Sequence, residues 1–106
     1  MTKILFIGLG SAGQRHLRIL IRLLGRKNNE FYCYRSTNRN LLIDDNLKTR
    51  RVNSLKNHYK IIQVETKQLN NIKFDIVYIT NPIHKHMHFA IKFAKKGANL
   101  FIEKPL

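Results

Sequence analysis

Six residues near the N-terminus, Gly8-Leu9-Gly10-Ser11-Ala12-Gly13, have the types and spacing to hold a pyrophosphate. In a G-x-G-x-x-G pattern the first glycine permits a tight turn and the second lets the backbone approach the anion. The third lets a helix pack close to a strand. A helix opening at this point adds free N–H groups and the positive end of its dipole. The pattern carries this meaning only when a strand precedes it and a helix follows.

A second group of residues bears on which dinucleotide such a site would take. Sites for NAD commonly place a carboxylate about 20 residues past the glycines to accept the ribose hydroxyls, whereas a 2′-phosphate needs arginine or small donors. Here Arg35 stands 22 residues past Gly13, followed by Ser36-Thr37-Asn38-Arg39, with no acid among them. The expectation is NADP rather than NAD, with Arg35 stacking on the adenine or gripping the 2′-phosphate and Ser36 donating to it. An ordinary basic loop would have the same composition.

Three of the five histidines fall in Asn81-Pro82-Ile83-His84-Lys85-His86-Met87-His88. His84 and His88, at i and i+4, could share a metal, but a metal site needs further ligands and no cysteine or acid lies nearby in the sequence. The expectation is no metal, with these histidines exposed at the start of a helix.

The elements that must position these residues follow from hydrophobic periodicity. Lys3 to Gly8 is a short apolar run with the pattern of a strand buried on both faces. From Ser11 the period becomes helical: Leu17, Leu20, Ile21 and Leu24 share a face, Arg15, Arg18, Arg22 and Arg26 point away from it, and Gly25 ends the helix. Phe31 to Arg35 predicts a second strand, and residues 36–58 a poorly defined helix around Leu41-Leu42-Ile43 and Leu47. Lys60 to Val64 predicts a third strand, Thr66 to Ile72 a short helix, and Asp75 to Thr80 a strong fourth strand stopped by Pro82. Phe89, Ala90, Phe93 and Ala94 mark a helix ended by Gly97, and Asn99 to Ile102 a fifth strand cut short by Pro105. Such alternation predicts an α/β fold, a Rossmann-like doubly wound parallel sheet of about five strands, truncated relative to the six-stranded form.

Composition sets the outer limits. With 106 residues, the chain has room for one small domain. An apolar share of 43% is enough for a folded core. Cys33, the single cysteine, lies in the apolar stretch Phe31-Tyr32-Cys33-Tyr34 and reads as a small buried hydrophobe, which fits a reducing cytoplasm. The apolar run after Lys3 is broken at Gly8 and Gly10, too soon for a signal peptide, and no run approaches the roughly 20 residues that span a bilayer. The net charge is +14, but the basic residues are spread evenly, 11 in residues 1–53 and 9 in residues 54–106. Clustering would have favoured a nucleic-acid partner.

Three motifs in order then carry a resemblance: Gly8 to Gly13 with His16 three residues later, Asn81-Pro82 with His86 four residues after the proline, and Glu103-Lys104-Pro105. Together they resemble the N-terminal domain of the glucose-fructose oxidoreductase, inositol dehydrogenase and rhizopine-catabolism (Gfo/Idh/MocA) family, over nearly the whole chain. The resemblance implies a nicotinamide-dependent oxidoreductase domain that transfers hydride to or from a sugar, cyclitol or similar carbinol. It implies that Asn81, Pro82 and Glu103 lie along the nicotinamide and its ribose, that His86 lines the same crevice, and that His16 supports the first helix. Lys104 would stand at the reacting carbon, where an ammonium polarises a carbonyl or helps to shift a proton.

Family members continue into an α/β domain that binds the small-molecule substrate. Residues 1–106 are therefore expected to form the dinucleotide-binding domain without that substrate domain, and to be inactive alone. A basic, non-catalytic protein binding nucleic acid or another polyanion is the alternative, and a subunit completed by a separate chain is a third reading.

Overall fold

A computed structural model describes residues 1–35, 40–80 and 83–103, with only the backbone course given for residues 83–86. Five parallel strands form one sheet: β1 (Thr2–Ile7), β2 (Asn29–Tyr34), β5 (Ile62–Gln63), β6 (Ile76–Ile79) and β7 (Asn99–Ile102), in the order β5-β2-β1-β6-β7. The chain builds outward from β1 through β2 to β5, then crosses back to lay β6 and β7 on the other side. Pairing runs Thr2 with Asn29 through Ile7 with Tyr34, and Ile4 with Ile76 through Ile7 with Ile79.

Side-chain alternation along the strands makes two cores. Ile4 and Phe6 of β1, with Phe31 and Cys33 of β2, pack on one face with Leu17 of helix α1 (Ser11–Leu24) and with Leu55 and Tyr59 of α2 (Leu55–Tyr59). Leu5 and Ile7, with Tyr32, Val77 and Ile79, pack on the other with Leu69 of α3 (Thr66–Asn71) and with Ala90 and Phe93 of α4 (Ile83–Lys95). Helices on both faces explain why β1 reads as a continuous apolar run. On the α1 face, Phe6, Tyr78 and Phe101 stack ring on ring across β1, β6 and β7, with centroids 4.8 Å apart at each step. Cys33 is fully buried, as its sequence context predicts.

The helix expected over residues 36–58 is not what forms among the described residues of that stretch. Leu41–Ile43 (β3) and Thr49–Arg51 (β4) pair as an antiparallel hairpin, followed by the five-residue α2. Asp44 causes the reversal: its carboxylate accepts from the N–H groups of Asn46 at 2.9 Å and Lys48 at 3.0 Å, offering the backbone a turn in place of a helix. Ser54 then caps α2 by accepting from the Asn57 N–H. Two of the four arginines expected to point away from the core also turn back onto the protein. Arg18 reaches the hairpin, and Arg26 donates to the carbonyls of Tyr59 and Lys60.

Candidate functional site

Because all five strands run the same way, their carboxyl ends share one edge. Between β1 and β6 the winding changes direction, with α1 leaving β1 on one face and α4 following β6 on the other. That point is where open α/β sheets leave a crevice for a ligand.

The glycine turn occupies the β1 side of the crevice. Gly8 has φ 94°, a backbone state open to glycine at little cost, and its N–H donates to the Tyr34 carbonyl at 2.9 Å. From β6, the Thr80 N–H donates to the Ile7 carbonyl at 3.0 Å, and its hydroxyl donates to the Gly8 carbonyl at 3.0 Å. Gly13 packs against this junction so tightly that a Cβ there would lie 2.7 Å from Thr80 Oγ1 and 2.8 Å from the Gly8 oxygen. At Gly10 the opposite holds: a Cβ would meet nothing within 4 Å. Gly10 opens α1 without a side-chain cap, and the first turn carries no acid. Helix N–H groups there lack intrahelical acceptors, and Ser11 and Ala12 lie at that open end. The open backbone and uncapped helix end fit a pyrophosphate.

Arg35 follows β2 at the same edge, half-buried. Burial shifts its guanidinium below the usual arginine range, with a smaller opposing effect from Cys33.

On the far side of the crevice, Glu103 leaves β7 with its N–H donating to the Ile79 carbonyl at 3.0 Å. Its carboxylate lies 2.9 Å from His16 Nε2, and the His16 ring tilts against Tyr78 at 5.7 Å. The first helix is thereby tied to the end of the last strand.

Other predicted positions divide as follows. Ser36, Asn81, Pro82 and Lys104 lie outside the described residues. His86 lies within α4, and its side chain is outside them too, as is that of His84. His88 is exposed, its ring edge-on to Phe89 at 5.1 Å. Among the described residues no three His, Cys, Asp or Glu side chains gather as a metal set, and no helix is long and apolar enough to cross a membrane.

Two participants were not anticipated from sequence. Thr80 holds the glycine turn from β6, and no local signal marks it. Gln14 is fully buried and its side chain bonds to the turn, the hairpin and α2. A signal for Gln14 existed: with Leu17 and Ile21 it stands at i, i+3 and i+7 on the inward face of α1.

Comparison with known proteins places this geometry. Residues 2–106 match the model of the GFO_IDH_MocA oxidoreductase family, described as an NAD-binding Rossmann fold. The chain belongs to the Gfo/Idh/MocA family. Solved structures similar to this Gfo/Idh/MocA chain include a myo-inositol 2-dehydrogenase from Lactobacillus plantarum, at 23% identity and a TM-score of 0.68, with 98% of this chain covering 28% of that one. The UDP-N-acetylglucosamine 3-dehydrogenase GnnA from Acidithiobacillus ferrooxidans is 16% identical with a TM-score of 0.69, over 97% of this chain and 28% of that one. A dehydrogenase (MviM) from Clostridium difficile is 20% identical with a TM-score of 0.70, over 99% and 31%. This Gfo/Idh/MocA chain thus spans less than a third of each of these structures. No curated protein matches the sequence.

Proposed function

We propose that residues 1–106 form the dinucleotide-binding domain of a Gfo/Idh/MocA oxidoreductase and bind NADP in preference to NAD. The observation that carries the dinucleotide-binding part of this reading is the contrast within the glycine turn, where Gly13 has no room for a Cβ while Gly10 faces open space beside an uncapped helix; the preference for NADP rests on Arg35 and the absence of an acid in residues 35–39. In this reading Gly8, Gly10, Ser11, Ala12 and Gly13 hold the pyrophosphate, and Arg35 and Ser36 take the 2′-phosphate. Asn81, Pro82, His86 and Glu103 line the nicotinamide side.

When bound, the nicotinamide supplies or accepts a hydride. The protein's part is position and charge. Glu103 is steadied by His16 at the end of β7, and Lys104, next in sequence, presents an ammonium that polarises a carbonyl or moves a proton at the reacting carbon. A sugar, cyclitol or similar carbinol is the substrate class, and turnover requires a further α/β substrate domain that residues 1–106 do not supply. A single, fully buried thiol supports a cytoplasmic setting.

Calorimetric titration with NADPH and with NADH tests the reading. Preferential NADPH binding that is lost in Arg35→Asp supports it, and equal affinity for the two sinks the NADP assignment. A polyanion-binding reading rests on exposed Arg15 and Arg22 on α1 and Lys48, Arg50 and Arg51 on the hairpin. Steeply salt-dependent binding to DNA, unaffected by NADPH, would favour it.

A further inference from the structure

Among the described residues, Gln14 is the one polar side chain that is fully buried. Its amide uses every hydrogen-bonding position. Nε2 donates to the carbonyls of Leu9 at 3.0 Å and Leu41 at 2.8 Å. Oε1 accepts from the Ile43 N–H at 3.0 Å and from the Tyr59 hydroxyl at 2.9 Å. With the amide reversed, its NH2 would face the Ile43 N–H and its oxygen two carbonyls, so the orientation is fixed by the partners.

These partners belong to different parts of the molecule. Leu9 lies inside the glycine turn, Leu41 and Ile43 form β3, and Tyr59 ends α2. A second layer reinforces the first: Arg18 donates to the Ile43 carbonyl and the Tyr59 hydroxyl, both at 2.8 Å, and to Asp45 at 2.7 Å. Asn40, at the entry to the hairpin, accepts from the N–H groups of Val52 at 3.0 Å and Leu55 at 3.2 Å. The hairpin is therefore fixed to the backbone of the glycine turn through one amide, six residues after Arg35 leaves β2.

We infer that Gln14 is a positioning residue that sets the hairpin, the next described element after Arg35, in register with the glycine turn, and so contributes to selectivity for a dinucleotide bearing a 2′-phosphate. This inference rests on the dinucleotide-binding reading. An apolar residue would fill the same volume in α1 but could not join the Leu9 carbonyl to β3. Of the groups it left unpaired, the Leu9 carbonyl is buried and the Leu41 carbonyl and Ile43 N–H are half-buried.

The test compares the whole chain with Gln14→Leu and Tyr59→Phe, using NADPH and NADH as probes and amide hydrogen exchange without ligand. In Gln14→Leu the ratio of NADPH to NADH affinity should fall about five-fold or more, the equivalent of one hydrogen bond. NADH affinity should hold within about two-fold, because the glycine turn keeps its own bonds to Tyr34 and Thr80. Exchange at the Ile43 and Val52 amides should quicken while that at β1 does not. Tyr59→Phe, which removes one of the four bonds to Gln14 and the one from Arg18 but keeps the ring, should move both readouts in the same direction by less, and serves if Gln14→Leu does not fold. An unchanged ratio in a folded variant, or a parallel loss of both affinities, overturns the selectivity role. If the unmodified chain binds neither dinucleotide, the functional reading falls and the selectivity role with it. The exchange data then separately decide whether Gln14 anchors the hairpin.

Discussion

His16 on α1 and Glu103 at the end of β7 are 87 residues apart in the chain and 2.9 Å apart in space. The contact joins the first helix to the end of the last strand, and it is one of two acid–base pairs among the described residues, the other joining Arg18 to Asp45. Its value lies in placement more than in stability.

His16→Ala should therefore lower unfolding free energy by no more than about 1 kcal/mol. Both side chains are well exposed, at 40% and 37%, and ion pairs in such settings are screened by water. Urea unfolding followed by circular dichroism measures this. A loss several times larger would mean that the His16–Tyr78 ring contact is a stronger support than its tilted geometry suggests.

Gly13→Ala and Gly10→Ala should separate folding from binding. At Gly13 the added methyl meets the Gly8 carbonyl, which is backbone and yields little, so a destabilisation of about 1–3 kcal/mol is expected together with loss of NADPH binding. At Gly10, with φ −79° and open space, alanine should leave the melting temperature nearly unchanged while weakening NADPH by about ten-fold through intrusion on the approaching phosphate. Normal affinity in Gly10→Ala would remove the pyrophosphate from this turn.

Thr80→Val keeps the shape of the side chain and deletes its bonds to the carbonyls of Ile7 and Gly8. About 1 kcal/mol of stability should be lost. Thermal melts of the two proteins give the difference directly, and a neutral result would mean that water replaces the hydroxyl.

Alkaline pH should weaken the fold through Cys33. Burial pushes this thiol up to about 11, against an ordinary value near 9.0. A raised native value means that the folded state holds its proton longer than the unfolded state. The contribution is complete below pH 9 and is lost between about pH 9 and 11, amounting to roughly 2–3 kcal/mol. Tyr32, Tyr59 and Tyr78 are shifted upward by burial and add in the same direction. Urea midpoints from pH 8 to 10.5 should fall, and less steeply in Cys33→Ala. Equal slopes for the two proteins would refute the assignment to Cys33.

Where local pattern and tertiary role agree, the fold was legible. Gly8 to Gly13 lies between an apolar strand and an amphipathic helix, and Gly25 takes the left-handed backbone, φ 70°, that ends α1. The hairpin was hidden because β3 and β4 are three residues each, too short for a period, and because its turn is made by the side chain of Asp44. At the candidate site, spacing alone was enough to single out Gly8 to Gly13 and Arg35 as candidate residues. The Glu103–His16 contact and the part played by Thr80 depend on the parallel register that brings β1, β6 and β7 together, which no local window contains.

The central position of β1 has a consequence for the order of assembly. Ile4 pairs with Phe31 across 27 residues and with Ile76 across 72, and the longer closure costs about 0.9 kcal/mol more chain entropy. On a ribosome β1, α1 and β2 emerge and pair while β6 is still unmade, so the β2 side of the sheet should gain protection in pulse-labelled exchange before the β6 side. The crevice at β1 and β6 then closes after the β2 side has formed, and for some time in its synthesis the chain displays its glycine turn beside the unpaired apolar edge Ile4 to Ile7 of β1.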